Sequence, residues 1–203
     1  MFNINENIED PVKPPFCGFY LGKQDDEGNT PLSLSCIEGD ADIIEILCST
    51  KYKNVGINVP NNEGDTPLLL VCKNDCRKAV ECLIKRGANI HHVNNNGKNS
   101  LMIACKNGHL GVVEELMNAS QIDSDVEEEI NENEIDPNDL DKNDNSALSL
   151  AVNENHFPVV KYLLDNFGDI LTERVLNHAY SIAEEKDFQE MMEIIPHQPK
   201  PTK

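Results

Sequence analysis

A nine-residue segment recurs along the chain and constrains its fold more than any other feature. It reads "GNTPLSLSC" from residue 28, "GDTPLLLVC" from residue 64, and more loosely "GKNSLMIAC" from residue 97 and "DNSALSLAV" from residue 144. The third residues of successive copies are 36, 33 and 47 positions apart, so the base period is 33, with insertions of three and fourteen residues. A fixed period of this length indicates a stack of repeated units, each burying its apolar face against its neighbours.

Each copy has the residue order of a helix start. Its third residue has a side-chain oxygen that can accept a backbone N–H left unpaired in the first helical turn. In two copies a proline follows, at the first helical position, where its missing N–H costs nothing. Nine residues after the cap comes a residue that tolerates a left-handed helix end to some degree. The predicted caps are Thr30, Thr66, Asn99 and Ser146, and the predicted helix ends are Gly39, Asp75, Gly108 and Asn155.

A second helix is predicted after each helix end. In the third unit Val112 and Val113 are followed by Leu116 and Met117, and the other three units keep the same spacing. Apolar residues at i, i+1, i+4 and i+5 lie on one face of a helix. Each unit is therefore a pair of helices, and a Gly-bounded extended turn such as 87–97 leads to the next unit.

These features together resemble the ankyrin repeat, a hairpin-like loop followed by two antiparallel helices in about 33 residues. The correspondence is clearest in 61–68 and in "ACKNGHLGVVEELM" at 104–117. The resemblance implies an all-α repeat solenoid. Repeat four has Asp144 in place of the turn glycine and Ala147 in place of the proline, which predicts a less regular loop.

The domain organisation follows from where the pattern begins and fades. We predict about four repeats and a degenerate fifth unit, because an end repeat has one face without a neighbour and is atypical. The predicted segments are an N-terminal tail over 1–17, ankyrin repeats over 18–171 with an acidic insertion at about 120–140, capping helices over 172–196 and a C-terminal tail over 197–203.

Composition narrows the function and the location. The formal net charge is −19, from 17 Lys and Arg against 36 Asp and Glu, which argues against nucleic acid and anionic membranes as ligands. No apolar run approaches the roughly 18 residues of a membrane span, and the N-terminus lacks the features of a secretory signal. Seven cysteines, odd in number and irregularly placed, favour a reducing compartment. We expect a cytoplasmic or nuclear monomer.

The cysteines that end three copies could serve either thiol chemistry or packing. Cys36, Cys72 and Cys105 occupy a slot for small residues, which Val152 fills in the fourth copy. A free cysteine behaves as a small hydrophobe. Equivalent slots in adjacent repeats should lie roughly 10 Å apart, too far to share a zinc ion with bonds of about 2.3 Å. We interpret these cysteines as packing residues and predict no bound metal or cofactor.

Two other groups bear on chemistry. The closer spacing of Cys72, Cys76 and Cys82 leaves open a thiol- or metal-responsive sensor. His109 and His156 follow predicted helix ends, where the ankyrin pattern implies hydrogen bonding between repeats. No Ser/His/Asp or Cys/His arrangement and no Gly-rich phosphate loop stands out. We predict that the protein is not an enzyme.

The insertion before repeat four is strongly acidic. Residues 107–141 contain no Lys or Arg but twelve Asp and Glu, ten of them in 123–141. This composition predicts a solvated loop, which could steer a basic partner. An alternative function is therefore an assembly chaperone or regulator of a larger complex. Ser120 and Ser124 each have an acid three residues on, so their phosphorylation is a further hypothesis.

Ankyrin arrays usually bind proteins through the concave side, formed by loop tips and first helices, so the resemblance implies an adaptor or inhibitor with a partner protein. By register, the charge of this face is −3, −1, +2 and 0 in repeats one to four. We hypothesise that Lys98 and Lys106 contact an acidic spot on the partner, and that repeat one contacts a basic one. The transferred positions are Asp26, Glu27, Asn29, Ile37, Glu38, Asn62, Glu63, Asp65, Lys73, Asn74, Asn95, Asn96, Lys98, Lys106, Asn107, Lys142, Asn143, Asn145, Asn153 and Glu154.

Overall fold

The structure is a computed structural model that describes residues 21–49, 55–121 and 135–197. Within these ranges every regular element is an α-helix. The helices are α1 Pro31–Glu38, α2 Ala41–Cys48, α3 Pro67–Val71, α4 Arg77–Lys85, α5 Ser100–Asn107, α6 Leu110–Gln121, α7 Ala147–Asn153, α8 Phe157–Phe167, α9 Glu173–Glu185 and α10 Gln189–Ile194.

The first eight helices form four stacked pairs, repeats one to four. In each pair the two helices pack on each other, each first helix packs on the first helix of the next pair, and each second helix packs on the next second helix. This is a solenoid in which a unit contacts only its neighbours, so the predicted all-α repeat fold is confirmed. At the C-terminal end α9 packs on α7, and α10 packs on α8 and α9.

The predicted capping residues cap the first helix in three of the four repeats. Thr30, Asn99 and Ser146 each accept the backbone N–H three residues on, and so cap α1, α5 and α7. Thr66 precedes α3 with extended cap geometry, but its side chain makes no capping bond. Its buried hydroxyl has no partner. The prediction that Thr66 caps α3 is wrong, and the structure shows no competing partner that draws the hydroxyl away.

The helix ends also differ in one repeat. Gly39, Gly108 and Asn155 have left-handed backbones with φ of 71°, 73° and 61°, as the sequence predicts. In repeat two α3 stops at residue 71, and the following Cys72 keeps a right-handed φ of −67°. The backbone N–H groups of Lys73 and Asn74 then donate to the carbonyls of Leu70 and Val71, three residues back. This is the tighter 3₁₀ pattern, which is common at the ends of α-helices. Asp75 is therefore not the helix end.

The loop of repeat four is as regular as the others, contrary to the prediction. The Asp144 N–H donates to the Asp141 carbonyl at 3.0 Å, as the Gly97 N–H donates to the Asn94 carbonyl at 2.8 Å. Asp144 adopts a left-handed φ of 62°. Aspartate enters this region more readily than most residues, so it replaces the turn glycine without changing the loop.

The core runs through the stack as one layer per repeat. Its repeating member is the leucine after each helix start, Leu32, Leu68, Leu101 and Leu148, at most 1% exposed. The C-terminal end is closed by α9, whose Val175, Ala179 and Ala183 are buried at i, i+4 and i+8. None of the described helices is long and apolar enough to cross a membrane.

Candidate functional site

A concavity of about 450 Å³ lies between the loops and first helices of repeats one and two. Seven of its nine lining residues are among the positions transferred by register. The sequence reasoning missed Asn61 and Leu70, because neither is at a loop tip or at the exposed end of a first helix. The lining is Asp26, Glu27, Asn29, Ile37, Asn61, Asn62, Glu63, Leu70 and Lys73.

Hydrogen bonds between adjacent loops hold the rim of this concavity. The Asn62 backbone N–H donates to the Glu27 carbonyl at 3.0 Å, and its side-chain Nδ2 donates to the Asp26 carbonyl at 2.8 Å. One repeat on, Asn95 donates in the same way to the carbonyls of Glu63 and Asn62, both at 3.0 Å. These asparagine amides therefore align the loops with one another.

Two predicted contact residues lie inside the array. Asn29 is 8% exposed and accepts a bond from Asn61 Nδ2 at 3.1 Å. Asp65 is 1% exposed and accepts from Lys73 Nζ at 2.7 Å and from Asn94 Nδ2 at 2.8 Å. A buried carboxylate needs such donors to offset its desolvation. Both side chains are occupied in holding the loops together.

The outward positive charge predicted for the concave side of repeat three is smaller than the sequence indicates. Lys98 Nζ lies 3.9 Å from Asp141 Oδ2, and this carboxylate is fully buried. Its charge therefore compensates an internal acid. Lys106 and Lys142 are exposed, and neither forms an ion pair with any described residue. The outward positive charge of the concave side comes from these two lysines.

The remaining predicted positions differ in whether the side chain is engaged. Those bonded within the array are Asn74, Asn107, Asn145, Asn153 and Glu154. Those exposed, with no side-chain bond to another described residue, are Glu38, Asn96 and Asn143.

The repeated cysteines lie in the core. Cys36, Cys72 and Cys105 are each 0% exposed, and burial raises the pKa of each thiol. The thiolate is the reactive form of cysteine, so a raised pKa makes these thiols less reactive. Their environment is the one expected of packing residues.

The three cysteines suggested as a sensor differ in burial, since Cys72 is buried and Cys76 and Cys82 are half-buried. Cys72 lies in the core, whereas Cys82 is half-buried and its thiol hydrogen-bonds that of Cys48. Burial, and then the Cys82 thiol, raises the pKa of Cys48 to about 12. In the described ranges, no three His, Cys, Asp or Glu side chains are grouped so as to hold a metal ion.

The two histidines after helix ends do connect repeats. His109 Nε2 lies 2.9 Å from the Lys73 carbonyl, and His156 Nε2 lies 3.0 Å from the Lys106 carbonyl. The predicted hydrogen bonding between repeats is confirmed.

The acidic insertion falls mainly outside the described residues. Residues 122–134, the side chain of Ser120 and all of Ser124 are not described. The chaperone or regulator function suggested for this loop, and the phosphorylation of both serines, stay predictions. Where the description resumes, Asp139 accepts from Asn99 Nδ2 at 3.1 Å, and burial followed by the nearby Asp136 raises its pKa.

The stacked helix pairs and the loop-lined concavity define a helical-repeat module for protein–protein interaction. A family model described as ankyrin repeats in three copies matches residues 5–94, 50–128 and 80–174. These overlapping matches cover most of the chain, so it belongs to the ankyrin-repeat family. This fold is typically a non-catalytic binding module.

One curated relative is similar over part of this region. It is the E3 ubiquitin-protein ligase KEG of Arabidopsis thaliana, 30% identical over 70 residues. The alignment covers 34% of this chain and 4% of the ligase.

Proposed function

We propose that the protein is a non-catalytic adaptor or inhibitor that binds a partner protein through the concave side of repeats one and two. The concavity of about 450 Å³ there is the observation that carries this proposal. It combines an exposed apolar residue, Ile37 at 42% exposure, with the exposed carboxylates of Asp26, Glu27 and Glu63.

Charge indicates what the concavity would bind. Lys73 lies in it but already pairs with the buried Asp65, so the three exposed carboxylates dominate. A partner segment with an apolar side chain for Ile37 and flanking Lys or Arg fits this surface. Electrostatic complementarity of this kind raises the association rate and sets specificity. Further along the groove, Lys106 and Lys142 suit an acidic part of the same partner.

The affinity should be moderate. Binding hot spots are enriched in Trp, Tyr and Arg, and the lining of this concavity contains none of the three. The partner would have to supply the anchoring side chains. A partner-supplied basic residue beside Glu27 and Glu63 makes binding sensitive to salt.

The proposal places the protein in the cytoplasm or nucleus, acting as a monomer. The odd, scattered cysteines support a reducing compartment. That the chain performs no catalysis of its own is supported by a sequence without a nucleophile-and-base arrangement.

Crosslinking affinity purification from native cells tests the proposal. The site variant is Ile37→Ser with Glu27→Gln and Glu63→Gln. The control makes the same kinds of change at the far end of the array, in Ile170, Glu190 and Glu193. The site variant should lose at least about tenfold of at least one specific partner, because an apolar contact and two charges are removed, while the control keeps it. Equal recovery by both variants would reject the concave side of repeats one and two.

A further inference from the structure

One end of the array exposes apolar side chains that every later repeat buries. Leu34 on α1 is 45% exposed. The same position in repeats two, three and four holds Leu70, Ile103 and Leu150, which are 2%, 4% and 6% exposed. The residue type is conserved along the array, but the exposure is not.

The second helix of repeat one shows the same contrast. Ile43 on α2 is 46% exposed, whereas its counterparts Ala79, Val112 and Val159 are at most 1% exposed. All four repeats have a following unit packed on them, and only repeats two to four have a preceding helix pair among the described residues. These two positions therefore belong to the face that a preceding unit covers.

Ile46 extends this surface. It is 57% exposed and lies three residues after Ile43, hence on the same side of α2. We call Leu34, Ile43 and Ile46 the end face. A shallow concavity of about 400 Å³ beside Ile46 is also lined by Asp42, Glu45 and Ser49.

The rim of the end face is acidic. Asp42 and Glu45 are exposed, and α2 contains no Lys or Arg. Residues 21–49 as a whole carry seven Asp and Glu against one Lys. On the side towards repeat two the same carboxylates share a groove with Lys78 and Arg86 of the α4 region. Beside Ile46 itself, the charged groups that line the shallow concavity are the carboxylates of Asp42 and Glu45.

We propose that the end face is a second docking surface, separate from the concave side, and that its occupant is a basic amphipathic helix of a partner protein. An apolar stripe at i, i+3 and i+4 would cover Leu34, Ile43 and Ile46, as helix-in-groove recognition does. Lysines or arginines beside that stripe would pair with Asp42 and Glu45.

Charge disfavours two other occupants. A second copy of this chain, packed end face to end face, would bring two acidic rims together, and like charges in an interface are costly. Residues 1–20 of this chain contain three acids and one Lys, so their net charge is negative, like that of the rim. A basic partner is the occupant that matches it.

The apolar half of the proposal is tested with a defined probe and the intact 203-residue protein. The probe is a fluorescent 18-residue peptide with Leu at i, i+3, i+4 and i+7 and Lys elsewhere, followed by anisotropy. Ile43→Ser with Ile46→Ser should weaken binding about tenfold or more. The control, Val93→Ser with Ile170→Ser, removes apolar groups that are 50% and 54% exposed elsewhere, and should stay within about twofold of the unchanged protein.

The charged half is tested by salt titration with the same probe. Asp42→Asn with Glu45→Gln should flatten the dependence of affinity on salt. Glu190→Gln with Glu193→Gln, an exposed pair at the same spacing on α10, should leave it unchanged. Thermal melts followed by circular dichroism check that all variants are folded.

Several results would overturn the proposal. Equal weakening by the end-face and control pairs would mean unspecific attraction of a basic peptide to an acidic protein. A dimer in light scattering that Ile43→Ser with Ile46→Ser abolishes would make a second copy the occupant. Carbodiimide crosslinks from Lys13 to Asp42 or Glu45 would show that the chain's own N-terminal segment covers the face.

Discussion

Repeats one and three have the same sequence pattern and very different surfaces. In repeat three the apolar residues of α5, from Leu101 to Cys105, are at most 4% exposed, because helix pairs pack on both sides. In repeat one Leu34, Ile43 and Ile46 are 45–57% exposed. The sequence pattern therefore determines on which side of a helix the apolar residues lie. Whether they are buried depends on whether another helix pair packs against that side.

The largest expected contrast comes from one leucine position in adjacent repeats. Leu70→Ala should lower the free energy of unfolding by about 2–4 kcal/mol, because Leu70 is buried and its removal leaves a cavity. Leu34→Ala should cost less than about 1 kcal/mol, because water already reaches nearly half of this side chain. Urea unfolding measures both. Equal losses would mean that Leu34 is covered in solution.

The helix-end glycines give the next contrast. An alanine at either Gly39 or Gly108 would be strained by the left-handed backbone, at about 1–2 kcal/mol. At Gly108 the added Cβ would also collide with the His156 ring, whereas at Gly39 it would meet Asn74 at an ordinary 3.5 Å. Gly108→Ala should therefore cost about 1 kcal/mol more, the value of the lost bond from His156 to the Lys106 carbonyl. Thermal unfolding of the two variants tests this, and a larger loss for Gly39→Ala would contradict it.

Thr30 and Thr66 occupy the same position before a first helix, but only the Thr30 side chain makes a capping hydrogen bond. Thr30→Val should cost about 1 kcal/mol, since Thr30 Oγ1 accepts the Ser33 N–H. Thr66→Val should be neutral or stabilising, because it removes a buried hydroxyl that has no partner. The urea midpoints of the two variants decide the matter. A comparable loss from Thr66→Val would show that this hydroxyl does bond in solution.

The smallest effect concerns pH. The folded-state pKa of Asp139 is raised, mainly by burial, so the folded protein binds this proton more tightly than the unfolded chain. Ionised Asp139 thus reduces stability above its folded-state pKa, and the deficit disappears as pH falls below the ordinary value of 3.8. Asp139→Asn keeps an acceptor for Asn99. It should raise the free energy of unfolding by about 0.3 kcal/mol at neutral pH, with no gain in acid.

Urea titrations across pH measure this gain, with the exposed Asp165→Asn as control. A gain that is the same at every pH would contradict the assignment of the effect to the charge of Asp139.

The fold could be predicted because its information is local. Turn glycine, cap, proline and leucine lie within five consecutive residues, and each acts on backbone beside it. The exceptions, Thr66 and Asp75, lie on either side of α3. Asp75 is not the helix end because the last turn of α3 closes early, and nothing in the structure explains why Thr66 makes no capping bond. Asp144 shows the reverse case, a residue outside the pattern that adopts the same backbone.

The site was harder to predict because its side chains bond between repeats. The repeat register placed Asp26, Glu27, Ile37 and Glu63 on the same side of the array, and in the structure they line one concavity. The register could not show that the Asp65 carboxylate accepts hydrogen bonds from Lys73 and Asn94. These bonds join residues that are 8 and 29 positions apart in the sequence. The exposure of Ile43 was equally hidden, because the sequence pattern is the same in covered and uncovered repeats.

Amide hydrogen exchange of the intact chain tests most directly the claim that the end face of repeat one, which no described residue covers, is open to solvent. A helix pair with one neighbour opens locally at lower free energy than a pair with two. We predict that the interior amides of α1 and α2 exchange at least about tenfold faster than those of α5 and α6. Equal protection of the two pairs would contradict the account, because it would mean that the end face of repeat one is covered in the free protein.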